Sequence, residues 1–243
     1  MAGETVKSAA TCLDIRPWSR TSHVVTWLTP HGKVSTVVKG AVRAKSAFLG
    51  QYDLNYTCEL LYYARAKGEL HALRECLPLN RRDALRTNYR ALALAGYFRG
   101  LVSELAPSGE ECGKWFEALE EGLDSCAALT SGRESASPLG LLIRFELKVL
   151  ELAGLKPDFS GFDKVAEWSS FSVENGTFCE EGRCIRIARA VAAYLCHPES
   201  PVTDLSIPLD AARVIGVFYQ FHVDCASDVR RTVLGLISEN EGR

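Results

Sequence analysis

The chain has 243 residues, 47% of them hydrophobic and 24% charged, with 28 Lys and Arg against 30 Asp and Glu. This composition excludes a disordered polyelectrolyte, and the length suits one large globular domain or two small ones. No stretch approaches the roughly 20 apolar residues that span a bilayer, and Met1–Thr11 has no apolar run that would read as a secretory signal.

Nine scattered cysteines, an odd number, read as free thiols rather than a disulfide framework, which predicts a reducing cytoplasmic setting. Charge is unevenly spread. Residues 1–80 hold ten basic and six acidic side chains, and residues 81–243 hold 18 and 24. Between Ile15 and Tyr52 stand Arg16, Arg20, Lys33, Lys39, Arg43 and Lys45, without a single Asp or Glu. Such a block on a near-neutral protein suggests an anionic partner, nucleic acid being the usual one; a solvated basic face is the competing reading.

The first 80 residues read as β-structure. A segment near Cys12–Arg16 opens the series. Ser22–Thr29 is β-branched and aromatic and stops at Pro30-His31-Gly32, a turn signal. Lys33–Lys39 alternates, with Val34, Thr36 and Val38 on one face. From Tyr52 to Leu60 the period of two is clean, and Glu69–Cys76 completes the series. About five short strands in roughly 70 residues predict a small barrel of the OB type; an SH3-like barrel has the same pattern.

After Pro78 the period becomes helical. Leu85, Tyr89, Leu92, Gly96 and Phe98 share one face, and Phe116, Leu119, Leu123 and Cys126 another. A Ser/Gly-rich break at Thr130–Pro138 precedes a third helix, with Leu142, Phe145, Val149 and Leu152, ending at Gly154 with Pro157 beyond. Residues 158–183 show no period. Ile185–Leu195 predicts a further helix, and Pro208–Ile237 a final pair. The expected architecture is therefore α+β: a five-stranded OB-type barrel over residues 1–80, then a helical domain over 81–243 with an irregular insert at about 157–184.

Signatures of catalysis are missing: no phosphate loop, dinucleotide fingerprint, nucleophile elbow or His-Glu-x-x-His helix. Cys179 and Cys184 form one close pair, but structural zinc wants four ligands, usually as two pairs. Neither a metal nor a cofactor is expected, and no catalytic residue is assigned.

The run Arg16-Pro17-Trp18-Ser19-Arg20, then Gly32-Lys33-Val34, Val38-Lys39-Gly40-Ala41-Val42-Arg43-Ala44-Lys45-Ser46 and Gly50-Gln51 resembles the N-terminal OB-fold of the RecO recombination mediator family. Lys67-Gly68-Glu69-Leu70 fits the strand that closes that barrel. Ile143-Arg144-Phe145-Glu146-Leu147, with Gly154-Leu155-Lys156-Pro157, is similar to the family's central helix and following turn. The resemblance implies a non-enzymatic protein of bacterial DNA repair, cytoplasmic and nucleoid-associated. Such a protein binds single- and double-stranded DNA, anneals strands, engages the acidic tail of single-strand-binding protein and, with RecR, helps load RecA. A protein-interaction adaptor with little DNA affinity is the alternative, and an unrecognised enzyme the more distant one.

On this reading Arg16, Arg20, Lys33, Lys39, Arg43 and Lys45 meet phosphates without reading sequence. Trp18 and Phe48 are candidate stacking surfaces, with barrel core as the competing role for Trp18. Arg144 is the residue expected to meet the tail peptide. The chain departs from the family's pattern at several places. Val42 stands where a second basic residue is common, and Gln51-Tyr52-Asp53 replaces Gln-Pro-Phe. Phe162 and Val165 stand where some members carry a Cys-x2-Cys, so Cys179 and Cys184 resemble the remains of the other pair. Ile143 replaces the first of two arginines, and Asp228-Val229-Arg230 a Lys-Ser-Arg element.

Overall fold

A computed structural model describes residues 4–65, 70–109, 112–130, 137–164, 166–204, 206–223 and 227–238. Lys67–Glu69, Val165, Cys225 and most of the Thr130–Pro138 break lie outside these residues.

Five strands, β1 (Thr5–Ser19), β2 (Ser22–Thr29), β3 (Gly32–Val38), β4 (Thr57–Tyr63) and β5 (Leu70–Asn80), close into a barrel in the order β1-β2-β3-β5-β4. All pairings are antiparallel except β3 with β5, which run parallel from Ser35↔Leu70 to Val37↔Ala72. That order is the OB topology expected from the strand count. Alternate residues fill the interior: Ala10, Cys12, Val25, Trp27, Val38, Cys58 and Leu60 are buried. The Trp27 indole N–H, which would be costly to bury unpaired, donates to Thr36 Oγ1 at 2.9 Å.

The second half is built on α1 (Tyr89–Leu105), α2 (Gly113–Ala128), α3 (Pro138–Leu152), α4 (Arg189–Cys196), α5 (Ser206–His222) and α6 (Ser227–Ser238). Local chemistry sets the ends. Asn88 caps α1 by accepting from the amides of Arg90 and Ala91, and Ser137 caps α3 with Pro138 in its first turn. Gly154, at φ +72, ends the α3 turn where the sequence signals a stop. Phe98 and Phe145 stack at 3.7 Å between centroids, and a Cβ on Gly122 would stand 2.6 Å from the Phe145 ring. Only a glycine lets α2 approach α3 there.

Three expectations are corrected. The strand expected over Tyr52–Leu60 begins only at Thr57. Asn55 is left-handed at φ 66, and along this run Leu54 is exposed while Asn55 and Thr57 are buried, so the alternation of residue types follows neither extended backbone nor burial before Thr57. Residues 158–183, expected to be irregular, carry a 3-10 turn at Ser160–Lys164 and most of a small antiparallel sheet, ordered β7-β6-β8, from β6 (Trp168–Ser172), β7 (Thr177–Phe178) and β8 (Cys184–Ala188). Strands of five, two and five residues are too short to establish a period. For the same reason the helix expected over Ile185–Leu195 divides into β8 and α4.

Two clusters make the core, one inside the barrel and a larger one among the helices, which also receives Leu13 from β1 and Leu28 from β2. Their junction is polar. Arg82, left-handed at φ 48 and 1% exposed in its side chain, pairs with Glu120 at 3.0 Å and Asp124 at 2.6 Å. It also donates to the Asn55 carbonyl at 2.9 Å and to Thr57 Oγ1 at 2.8 Å. Glu120 accepts from Thr11 and Thr57 as well, so one α2 carboxylate binds β1, β4 and the chain after β5. Among the described residues no helix is long and apolar enough to cross a membrane.

Candidate nucleic-acid interface

The antiparallel register of β1, β2 and β3 puts the β1–β2 turn and the end of β3 at the same end of the barrel. Two hydrogen bonds tie them together: the Val42 amide donates to the Thr21 carbonyl at 3.3 Å, and the Gly40 amide to Ser22 Oγ at 3.2 Å. Arg20, on the first turn, is thereby brought beside the segment that carries Lys39, Arg43 and Lys45. All four cations are exposed, and none has an ion-pair partner among the described residues.

The segment from Gly40 to Gln51 is a string of turns. Arg43, Ser46, Leu49 and Gln51 donate their amides to the carbonyls of Gly40, Arg43, Ser46 and Phe48. Gly40 takes φ +67 to leave the strand, and Ala41 is buried against the barrel while its neighbours stay in solvent. Tyr52 pins the far end: its hydroxyl meets His23 Nδ1 at 2.8 Å, and its ring packs edge-on against Trp27. Burial pushes the Tyr52 phenol well above its ordinary value, so it stays neutral. The cations therefore stand on a shaped surface and not on a slack loop.

Trp18 is 63% exposed. The β1–β2 register shifts between Cys12 and Asp14, and beyond that irregularity Ile15 packs on the barrel while Arg16 and Trp18 take the outward face. Val42 and Leu49 are also exposed, on the turns after β3. Arg16 is exposed but pairs with Asp14 at 2.5 Å, two residues back on the same strand. The acid-free block of the sequence thus acquires an acid at its edge in space. Phe48 is half-buried and packs against the barrel cluster. Lys33 stands apart at the opposite end of β3: its ammonium donates to the Ser103 carbonyl of α1 at 2.7 Å, and burial lowers its pKa.

On the helical half, Arg144 lines a groove between α2 and α3 of about 500 Å³, with Ala118, Leu141, Phe145, Lys148 and one carboxylate, Glu121. Ile143 is fully buried on the other side of α3, so the position of the family's first arginine faces the core here. Glu146, also fully buried, pairs with Arg230 of α6 at 2.7 Å and accepts the Tyr97 hydroxyl at 2.7 Å. Burial alone would depress the Arg230 guanidinium, but the Glu146 carboxylate against it holds it above its ordinary range. Sequence reasoning missed this pair and the Arg82 junction, because in each the partners are far apart in the chain.

Some family members carry a four-ligand zinc finger, and the donor set here does not fit one. Phe162 packs against the helical core, and among the described residues Cys179 and Cys184 are joined by no further donors where tetrahedral zinc takes four.

A family model described as Recombination protein O N terminal matches residues 1–82, and one described as Recombination protein O C terminal matches residues 86–185. The chain is 27% identical over 183 residues to a protein of Alkaliphilus metalliredigens (strain QYMF) named DNA repair protein RecO, covering 72% of this chain and 71% of that one. A protein of the same name from Roseiflexus sp. (strain RS-1) is 31% identical over 135 residues, covering 55% of this chain and 44% of the relative.

Proposed function

The chain belongs to the RecO family of DNA repair and recombination proteins, and from that premise we propose that it is a non-catalytic mediator whose barrel, residues 1–80, grips DNA. The observation that carries this reading is the convergence of Arg20, Lys39, Arg43 and Lys45, exposed and unpaired, with the exposed Trp18 at one end of the barrel. Cations on short turns neutralise phosphates on any sequence, and an indole face accepts any base. Screening the repulsion between two phosphate backbones favours pairing of complementary strands, so annealing needs no catalytic group. Arg16, held by Asp14, contributes at the rim, and Phe48 supports the turns from beneath.

The helical half, residues 81–243, serves the partners. The α2–α3 groove sets Arg144 and Lys148 beside Leu141 and Phe145, a combination that suits an acidic peptide with an apolar end such as the tail of single-strand-binding protein. With RecR the protein would then help RecA onto coated DNA in the bacterial cytoplasm.

Titration of fluorescent single-stranded DNA across salt concentrations tests the central claim. Each neutralised phosphate contributes about −0.7 to the log–log slope, so the four free cations predict a slope near −3. No binding at low salt overturns DNA as the direct ligand and leaves the adaptor reading, in which only peptide or RecR binds.

A further inference from the structure

Two thiols stand together at the open end of the small sheet. Because β7 and β8 lie on opposite sides of β6, the segment between them crosses the end of β6. Cys179 and Cys184 bracket that crossing. Both sulfurs lie against one carbonyl oxygen, that of Glu181, at 3.7 and 3.3 Å, and Cys184 Sγ also meets the Cys179 carbonyl at 3.5 Å. Cys184 is exposed, Cys179 and the distant Cys196 are partly so, and Cys12, Cys58, Cys76, Cys112 and Cys126 are buried. Among the described residues no third His, Cys, Asp or Glu completes a metal-binding group with them.

We propose that Cys179 and Cys184 are a redox modification site, closed into a disulfide across the β7–β8 connection by a low-molecular-weight disulfide such as oxidised glutathione. The two cysteines differ in the way such chemistry uses. The Asn175 side-chain amide donates to Cys179 Sγ at 3.7 Å and holds that thiol below its ordinary pKa. Desolvation, and then the neighbouring Cys179, push Cys184 up. Cys179 is thus the attacking thiolate and Cys184 the resolving thiol.

The steps balance. The Cys179 thiolate attacks one sulfur of the small disulfide, forming a mixed disulfide and expelling one small thiolate. Cys184 then loses its proton and attacks the Cys179 sulfur, expelling the second. Two electrons pass from the protein thiols to the small disulfide, and the two protons end on the released thiols. Gly182, at φ +75, gives the crossing segment a tight turn, and as an exposed connection it can adjust to bring the sulfurs into bonding range.

The test equilibrates the full-length chain with reduced and oxidised glutathione at a series of ratios, quenches with acid, alkylates under denaturing conditions and maps peptides by mass. The expected result is a single internal cross-link joining Cys179 to Cys184, with the loss of two alkylatable thiols and two hydrogens. The five buried cysteines should stay reduced at those ratios. The Cys184→Ser variant should accumulate the glutathione mixed disulfide on Cys179 by about tenfold or more over the parent, because nothing resolves it. The Cys179→Ser variant should lack the cross-link and react more slowly at Cys184. A stable mixed disulfide on Cys179 of the parent without cross-linking overturns the proposal. So does cross-linking of other cysteines at ratios that leave this pair reduced.

Discussion

Replacing Arg230 with Met probes the ion pair at the centre of the helical half. The guanidinium donates to Glu146 Oε1 at 2.7 Å, to Glu146 Oε2 at 2.9 Å and to the Ala212 carbonyl at 2.8 Å, joining α6 to α3 and α5. Methionine keeps much of the stem and removes all three bonds, leaving the buried carboxylate with the Tyr97 hydroxyl alone. A lost neutral hydrogen bond costs about 1 kcal/mol, but an uncompensated buried charge costs about 3–5 kcal/mol, and that larger effect decides the outcome. Urea unfolding at pH 7 should show a loss of that size. Pairing Arg230→Met with Glu146→Gln should recover about half of the loss, since no unpaired charge remains. A single-variant loss below about 1 kcal/mol, or a double-variant loss equal to the sum of the two singles, refutes the reasoning.

Ala at Lys39, Arg43 and Lys45 together should reduce the magnitude of the salt slope on single-stranded DNA by about 2, leaving the unfolding midpoint in place. Lys33→Ala should do the reverse, costing about 1 kcal/mol of stability through the lost Ser103 contact and leaving the slope alone. Trp18→Ala should cost about 1–3 kcal/mol of single-strand affinity with little change in stability, whereas Trp27→Ala should cost about 3–5 kcal/mol of stability; an equal stability loss at both positions would show that the exposed and buried indoles are wrongly assigned. Arg82→Ala should destabilise by about 3 kcal/mol or more in urea unfolding, because Glu120 loses its cation at the barrel–helix junction.

The basic turns and the junction divide the labour of the fold. Turns can present cations because the barrel beneath them is closed. Arg82 and Glu120 then hold that barrel against the helices. Lys33 illustrates the difference between charge and availability: it belongs to the basic block by composition, yet its ammonium is spent on a helix carbonyl.

Local pattern by itself determined most of the architecture. Period-two runs marked the strands, period-three-to-four runs the helices, and Gly154 the end of α3, because each depends on residues a few positions apart. Composition also located the basic block. What it left undecided depends on contacts between distant residues. The turn at Asn55 imitates a strand in residue type alone, since Leu54 is exposed and Asn55 buried there, and the short strands of the small sheet show no period until β6 lies between its neighbours. A register shift between Cys12 and Asp14, set by pairing with β2, leaves Ile15 on the barrel and Trp18 outward. The bonds from Val42 to Thr21 and from Gly40 to Ser22 bring Arg20 to Lys39 and Arg43. Glu146 finds Arg230, and Arg82 finds Glu120, only once helices pack. Spacing along a chain reports which face a side chain takes; only closure of the barrel and docking of the helices decide what that face meets.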